Sequence, residues 1–366
     1  MSLVTQVFAC ESNPSKQRFI RDNFGDLNVL FADICDLGND SAWCILSGRD
    51  VLVPRSDVAF IGFSCKSASS LNIARSTLCE YLAQADLDRA GSTGSTLKGL
   101  LGYLWRHRPA LVFLENVAGI LTRTRFGTPM DAIKRLFTTC GYELEWAFVN
   151  SSDYMLPQRR RRVWMWASLK SECALDGTLS LLRQLRLDSI PVALFLDVSE
   201  AEVGAAVASV TRAPKMKVFK WRASHAAFQK RHRLVEFLGI DSQWFVRLSE
   251  RERDVLRLYY ALFARQGVDL RSVDWFLDVS QGIGRVPVGR GICPCLCPNG
   301  RVWSTLRGRL LTGREKMSLQ GLVCGDDYPA WQSFSDRQLS DLAGNAFSTT
   351  VCLAVFVSVF ATVTFH

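Results

Sequence analysis

The chain has 366 residues, 48% of them hydrophobic, and a formal net charge of +9. That is apolar material for a full core spread over two or three domain-sized units, and a mean hydropathy of +0.08 excludes a disordered chain. The basic excess, with a pI near 9.0, favours a polyanionic partner and says nothing of fold.

The opening residues, MSLVTQVFACESNPSK, show no basic start followed by an apolar stretch, so no secretory signal is read there. Apolar runs at 4–9, 29–31, 58–63, 111–114, 144–149 and 163–167 are rich in Val, Phe, Ile and Trp, the composition of buried strands. Between them, 15–23, 96–107 and 129–140 carry apolar residues at spacings of three and four, which predicts helices. Such alternation predicts an α/β fold with a parallel sheet and helices on both faces. Its site would lie at the carboxyl ends of the strands, so polar residues just after a strand are the ones to inspect.

The rhythm breaks between 169 and 306, where basic clusters occur at 215–220, continuing into Trp221 and Arg222, and at 230–233. Ser249 followed by Glu252 predicts a capped helix start. A smaller domain inserted at 169–306 is therefore expected, between a first segment, 1–168, and a C-terminal return, 307–366. The run 351–365, interrupted by Ser358, Thr362 and Thr364, is too short for a confident membrane span and predicts a buried helix; no membrane partner is expected. Twelve cysteines without a compact disulfide framework fit an intracellular, reducing setting. The alternate spacing of Cys293, Cys295 and Cys297 departs from the usual zinc pattern, so no metal site is expected and the three read as structural.

Four short strings carry the chemistry: IGFSCKSASSLN from 61, FLENV from 113, PQRRRRVW from 157 and GNAFSTTV from 344. Cys65 follows an apolar strand, where a parallel sheet presents its site; a buried inert cysteine is the alternative. Glu115 also follows a strand and could equally be a helix-start carboxylate. The arginine run could be a solvated face, but between two strands alternate residues should point inward.

Together with the strand-end acids Glu11 and Asp33 and with LTGREKMSLQGL from 311, these strings resemble the cytosine-5 DNA methyltransferase family, in family order and at family-like spacing. The resemblance implies a Rossmann-like, S-adenosylmethionine-dependent methyltransferase sheet with an inserted target-recognition domain. It implies Cys65 as the thiolate that adds to carbon 6 of a flipped cytosine in double-stranded DNA, making carbon 5 nucleophilic. Glu115 would hydrogen-bond ring nitrogen 3 and the exocyclic amine. The family pattern is what singles out Arg160 and Arg162 over Arg159 and Arg161, and these two would reach the base and a nearby phosphate. S-adenosylmethionine would be held by Glu11 and Ser12 at its ribose, by Asp33 and Ile34 at its adenine, and by Asn345 and Ala346 near its methionine portion. Asn345 could also serve as a helix N-cap. The middle domain would read the DNA, and the localisation would be intracellular, nuclear in a eukaryote.

Two departures stand out. Ser64 occupies the position where the family has proline. No Gly-rich F-x-G-x-G turn precedes Glu11, and 352–366 contains no glycine that a permuted turn would need. In the family that turn follows a central strand, whose loss would strand buried backbone groups at on the order of 1–3 kcal/mol each. The expectation is a fragment or degenerate copy, with two rival functions: a DNA-binding remnant without cofactor binding, or a tRNA cytosine-5 methyltransferase. The second branch carries a Cys-Phe-Thr tripeptide that is missing here.

Overall fold

A computed structural model describes residues 4–70, 72–208, 220–235, 237, 239–325 and 328–366. The chain forms two compact units: Met1–Asn150 with Arg161–Arg186 and Val351–His366, and Ser151–Arg160 with Leu187–Thr350. Residues 307–350 cluster with the middle region, because their strand and helices complete its core.

In chain order the elements are β1 (Ala9–Cys10), α1 (Pro14–Asn23), β2 (Leu30–Phe31), β3 (Ser41–Cys44), β4 (Arg49–Leu52), β5 (Val58–Ile61), α2 (Arg75–Ala83) and α3 (Gly91–His107). There follow β6 (Leu111–Val117), α4 (Pro129–Thr139), β7 (Tyr142–Asn150), β8 (Gln158–Arg159), β9 (Arg161–Leu169), β10 (Cys173–Leu175) and α5 (Thr178–Gln184). Then come α6 (Glu200–Ala208), α7 (Lys220–Arg231), α8 (Glu250–Arg265), β11 (Trp275–Asp278), β12 (Val288–Arg290), β13 (Cys293–Pro294), β14 (Val302–Ser304) and β15 (Arg309–Leu310). The last are α9 (Gly313–Ser318), α10 (Asp336–Asn345), α11 (Thr349–Phe360) and β16 (Val363–Phe365).

The α/β class holds, but the first unit is not built on one parallel sheet. Two four-stranded sheets have the orders β1-β2-β3-β4 and β5-β6-β9-β7. Parallel pairing in them is confined to β1 with β2 and β5 with β6; the remaining pairs are antiparallel. The hairpin of β3 and β4 has no counterpart among the expected strands. Its turn is short and its residues alternate between exposed and buried only in β3, a weak period-two signal.

Both sheets share one hydrophobic core with α3 and α4. On α3, Leu97, Leu100, Tyr103 and Leu104 are buried at helical spacing. Tyr103 stacks edge-on against Phe8 and exchanges a 2.8 Å hydrogen bond with Ser56, so α3 underlies the entry to both β1 and β5. Helix α4 starts on a Thr128–Asp131 capping box with proline in its first turn. The C-terminal apolar run forms α11, with Phe356 packed on Phe60 and Phe113, and then a strand pairing with β10.

In the second unit, Ser249 and Glu252 form the expected capping box of α8. Phe228, Tyr259 and Leu256 from α7 and α8 pack with Leu277 and Trp303 of the sheet β12-β11-β14-β15. The basic cluster at 215–219 lies outside the described residues. Arg222, next to it, pairs with Glu250 at 2.8 Å and lies over the Trp221 ring.

All twelve cysteines are free thiols. Burial pushes Cys10 and Cys352 up to about 12 and Cys324 up to about 11, from 9.0. Below pH 9 these thiols are protonated in both states and leave stability unchanged. Above it the unfolded chain ionises while the native thiols do not, so stability falls as pH rises towards 11–12. Each thiol contributes about 1.4 kcal/mol per pH unit in that window. Urea titrations between pH 7 and 11 should show a plateau and then this decline; a flat profile to pH 11 would refute it.

Candidate active site

Cys65 lies four residues beyond β5, half-buried, at the start of a turn closed by the Ala68 amide donating to the Cys65 carbonyl at 3.2 Å. The parallel register of β5 with β6 sets Ile61 beside Leu114, so the chain leaves β5 towards Cys65 at the level of Glu115 in β6. Asn116 is fully buried and donates its amide to the Phe63 carbonyl at 3.2 Å, tying the end of β6 to the loop before Cys65. Gly119 lies just past β6. A Cβ there would come within 1.7 Å of the Ala68 carbonyl oxygen, so only glycine allows the Cys65 turn this close to the β6 end.

Glu115 is in β6 itself and is 9% exposed, which removes the helix-start reading. The antiparallel register pairs Glu115 with Trp164 and Val117 with Arg162. Residues two apart on a strand share a face, so Glu115 and Arg162 are diagonal neighbours. Arg162 Nε lies 2.9 Å from Glu115 Oε1 in an ion pair, and another nitrogen of its guanidinium donates to the Arg161 carbonyl at 2.9 Å. The pair is mostly out of water, with 11% and 16% of the two side chains exposed. A guanidinium this close to a carboxyl group holds its orientation.

The inward–outward alternation of the arginine run is present: Arg159 and Arg161 are exposed, Arg160 is buried and Arg162 is largely so. Arg160 is held by main-chain groups. Its guanidinium is 3% exposed and donates to the carbonyls of Leu296 at 3.1 Å, Gly344 at 3.3 Å and Ala346 at 2.8 Å. Those acceptors are main-chain groups of the second unit. A buried guanidinium needs such acceptors for its fixed fork of donors, and here they consume it structurally. Gln158 is likewise buried there, donating to Leu319 O and accepting from the Leu296 amide.

The strand-end acids are adjacent. β1 and β2 run parallel, with Cys10 beside Phe31, so Glu11 and Asp33 leave from the same edge. Glu11 accepts from the Asn13 amide at 2.7 Å and Asp33 from the Cys35 amide at 2.9 Å, where it caps a short 3₁₀ helix. The Cys10 thiol registers the charge that gathers here: after burial, the next causes of its rise to about 12 are Asp33 and Glu11. Ser12 is exposed and Ile34 half-buried beside them. Two carboxylates on adjacent strand ends, each an acceptor, fit the hydroxyls and amine of a nucleoside.

Asn345 is the last residue of α10, not an N-cap, and donates to the Asp341 carbonyl at 2.8 Å. Ala346 caps that helix end and accepts from Arg160. Both belong to the second unit. Cys293 is fully buried in β13, and Cys295 accepts from Arg160 at 3.9 Å. No group of three metal-binding side chains occurs among the described residues.

The pattern of the family described as C-5 cytosine-specific DNA methylase matches residues 4–361. The chain belongs to that family. Among curated relatives, a DNA (cytosine-5-)-methyltransferase DMT5 of Cryptococcus neoformans var. grubii is 29% identical over 94% of this chain and 15% of its own length. A second, from Verticillium dahliae, is 23% identical over 94% of this chain and 17% of its own length. This methylase chain therefore spans only about a sixth of those relatives. Among solved structures, the S. pombe Dnmt2 methyltransferase aligns over 97% of this chain and 89% of that one, with a TM-score of 0.48 and 14% identity.

Serine and threonine side chains around Cys65 were not anticipated from the sequence. Ser64, Ser67, Ser92, Thr93 and Thr96 interlock there, and the only signal was the repeated GSTGST at 91–96.

Proposed function

We propose that this methylase-family chain transfers a methyl group to carbon 5 of a cytosine in duplex DNA through a covalent Cys65 adduct. The observation that carries the reading is the buried Glu115–Arg162 pair at the level where the chain leaves β5 towards Cys65. S-adenosylmethionine, when bound, supplies the electrophilic methyl group, and Glu11 and Asp33, with Ser12 and Ile34 beside them, would hold its nucleoside. Asn345 and Ala346 are proposed near its methionine portion.

The residues act on the base in order. The Cys65 thiolate adds to carbon 6, and the electron pair displaced from the double bond makes carbon 5 a nucleophile. Glu115, protonated, donates its proton to ring nitrogen 3 while its other oxygen accepts from the exocyclic amine, so the negative charge that the addition puts on the ring is neutralised; Arg162 keeps that carboxyl aimed. After carbon 5 is methylated, solvent water takes its proton, nitrogen 3 returns its proton to Glu115, and the returning electrons expel the Cys65 thiolate. The base must leave the stack to reach a half-buried thiol, so base flipping belongs to the proposal. The second unit, with its basic clusters, is proposed to contact the DNA. Localisation in the nucleus of a eukaryotic cell is part of the same reading.

Calorimetry with S-adenosylhomocysteine separates this from a DNA-binding remnant. The enzyme reading expects stoichiometric binding, weakened about tenfold or more by Asp33→Ala, since a charge-assisted hydrogen bond is worth about 1.5–3 kcal/mol. Salt-sensitive DNA binding with no heat of cofactor binding would establish the remnant instead.

A further inference from the structure

We infer that Thr93 and Thr96 of α3 are positioning residues that clamp the Cys65 turn through the backbone amides on either side of it. The inference rests on the proposed role of Cys65.

The Ser64 amide donates to Thr96 Oγ1 at 3.0 Å. The Ser67 amide donates to Thr93 Oγ1 at 3.0 Å. Residues one before and two after Cys65 are therefore tied to successive turns of one helix. The clamp is reciprocal: the Thr93 amide donates to Ser67 Oγ at 3.3 Å, and Ser67 Oγ donates to the Ala90 carbonyl at 2.6 Å. Ser67 and Thr93 are 2% and 0% exposed, so water does not compete for these bonds. Thr96 Oγ1 sends its own proton to the Ser92 carbonyl at 2.8 Å, which leaves a lone pair for the Ser64 amide. Ser64 Oγ and Ser92 Oγ add a 3.1 Å contact. The helix carrying these hydroxyls is itself fixed by buried Leu97, Leu100, Tyr103 and Leu104, so the turn takes its precision from the core.

A proline at 64 would restrict φ but donate nothing. Serine keeps the N–H, and Thr96 uses it. Ser64 and Thr96 thus form an exchangeable pair: donor with acceptor, or two groups that need no bond. Thr96→Val orphans the Ser64 amide. Ser64→Pro removes the donor, and the double variant Ser64→Pro/Thr96→Val removes both partners of that bond, while the Ser64 hydroxyl contacts with Ser92 and Lys66 are lost equally in both proline variants.

Single-turnover methyl transfer and amide exchange at residues 64–67 should be measured on the parent, Thr96→Val, Thr96→Ser, Ser64→Pro and the double variant. The expected result is a Thr96→Val rate about tenfold to a hundredfold lower, the size of a small misplacement of a reacting group. Affinities for duplex DNA and S-adenosylhomocysteine should not change, and the Ser64 amide should exchange faster. Thr96→Ser should keep the parental rate, and the double variant should recover most of what Thr96→Val loses. Unchanged Ser64 exchange in Thr96→Val, or losses that simply multiply in the double variant, would overturn the clamp. The exchange readout needs no turnover, so it judges the clamp even if Cys65→Ala shows that the proposed chemistry is wrong.

Discussion

Cys65→Ala abolishes methyl transfer to DNA and the covalent protein–DNA adduct, while the fold and the affinity for S-adenosylhomocysteine persist. The side chain is half-buried in a turn whose main chain carries the hydrogen bonds, so truncating it removes little packing. Without the thiolate, carbon 5 stays electron-poor, and no neighbouring group can replace the addition at carbon 6. Loss of a covalent nucleophile costs on the order of 10³–10⁶ in rate. The measurement is transfer of labelled methyl groups, with the adduct followed on denaturing gels. A variant as fast as the parent would refute the assignment of Cys65 and with it the proposed mechanism.

The second large effect separates two arginines that are near neighbours in one run. Arg160→Ala removes the donor shared by three buried carbonyls, those of Leu296, Gly344 and Ala346. Stranding buried acceptors costs about 1–3 kcal/mol each, and breaking such a network about 3–5 kcal/mol in all. Against a total of roughly 5–15 kcal/mol this is a major loss, visible as a lowered urea midpoint. Glu115→Gln behaves in the opposite way. Glutamine keeps the volume and an acceptor for Arg162, so the midpoint moves by about 1 kcal/mol or less, while the rate falls on the order of 10²–10⁴. If Arg160→Ala left the midpoint unchanged and eliminated methyl transfer, Arg160 would belong with the base-contacting residues after all.

These two experiments follow the line between what was legible in the sequence and what was not. Cys65 and Glu115 could be singled out because the strings IGFSCKS and FLENV stand in the order of the family they resemble, each attached to an apolar strand that composition reveals. The alternation along the arginine run could also be read, since the period of a strand is two. Its meaning could not. Burial of Arg160 follows from periodicity, but the carbonyls it meets come from positions 296, 344 and 346, and no local pattern encodes a partner so far away in sequence. Asn345 could be a helix N-cap from the sequence, and in the structure it is instead the last residue of α10.

By itself, then, the sequence determined the α/β class, which depends on local periodicity, and the family, which depends on motifs in order; Cys65, Glu115 and the acidic strand ends are the residues that those motifs propose for the site. The tertiary structure decided the split into two four-stranded sheets, the pairing of Arg162 with Glu115, the structural use of Arg160 and the threonine grip on the Cys65 turn. Each of those is a contact between segments distant in the chain. Its energy comes from desolvation and hydrogen-bond geometry that exist only once the core has closed.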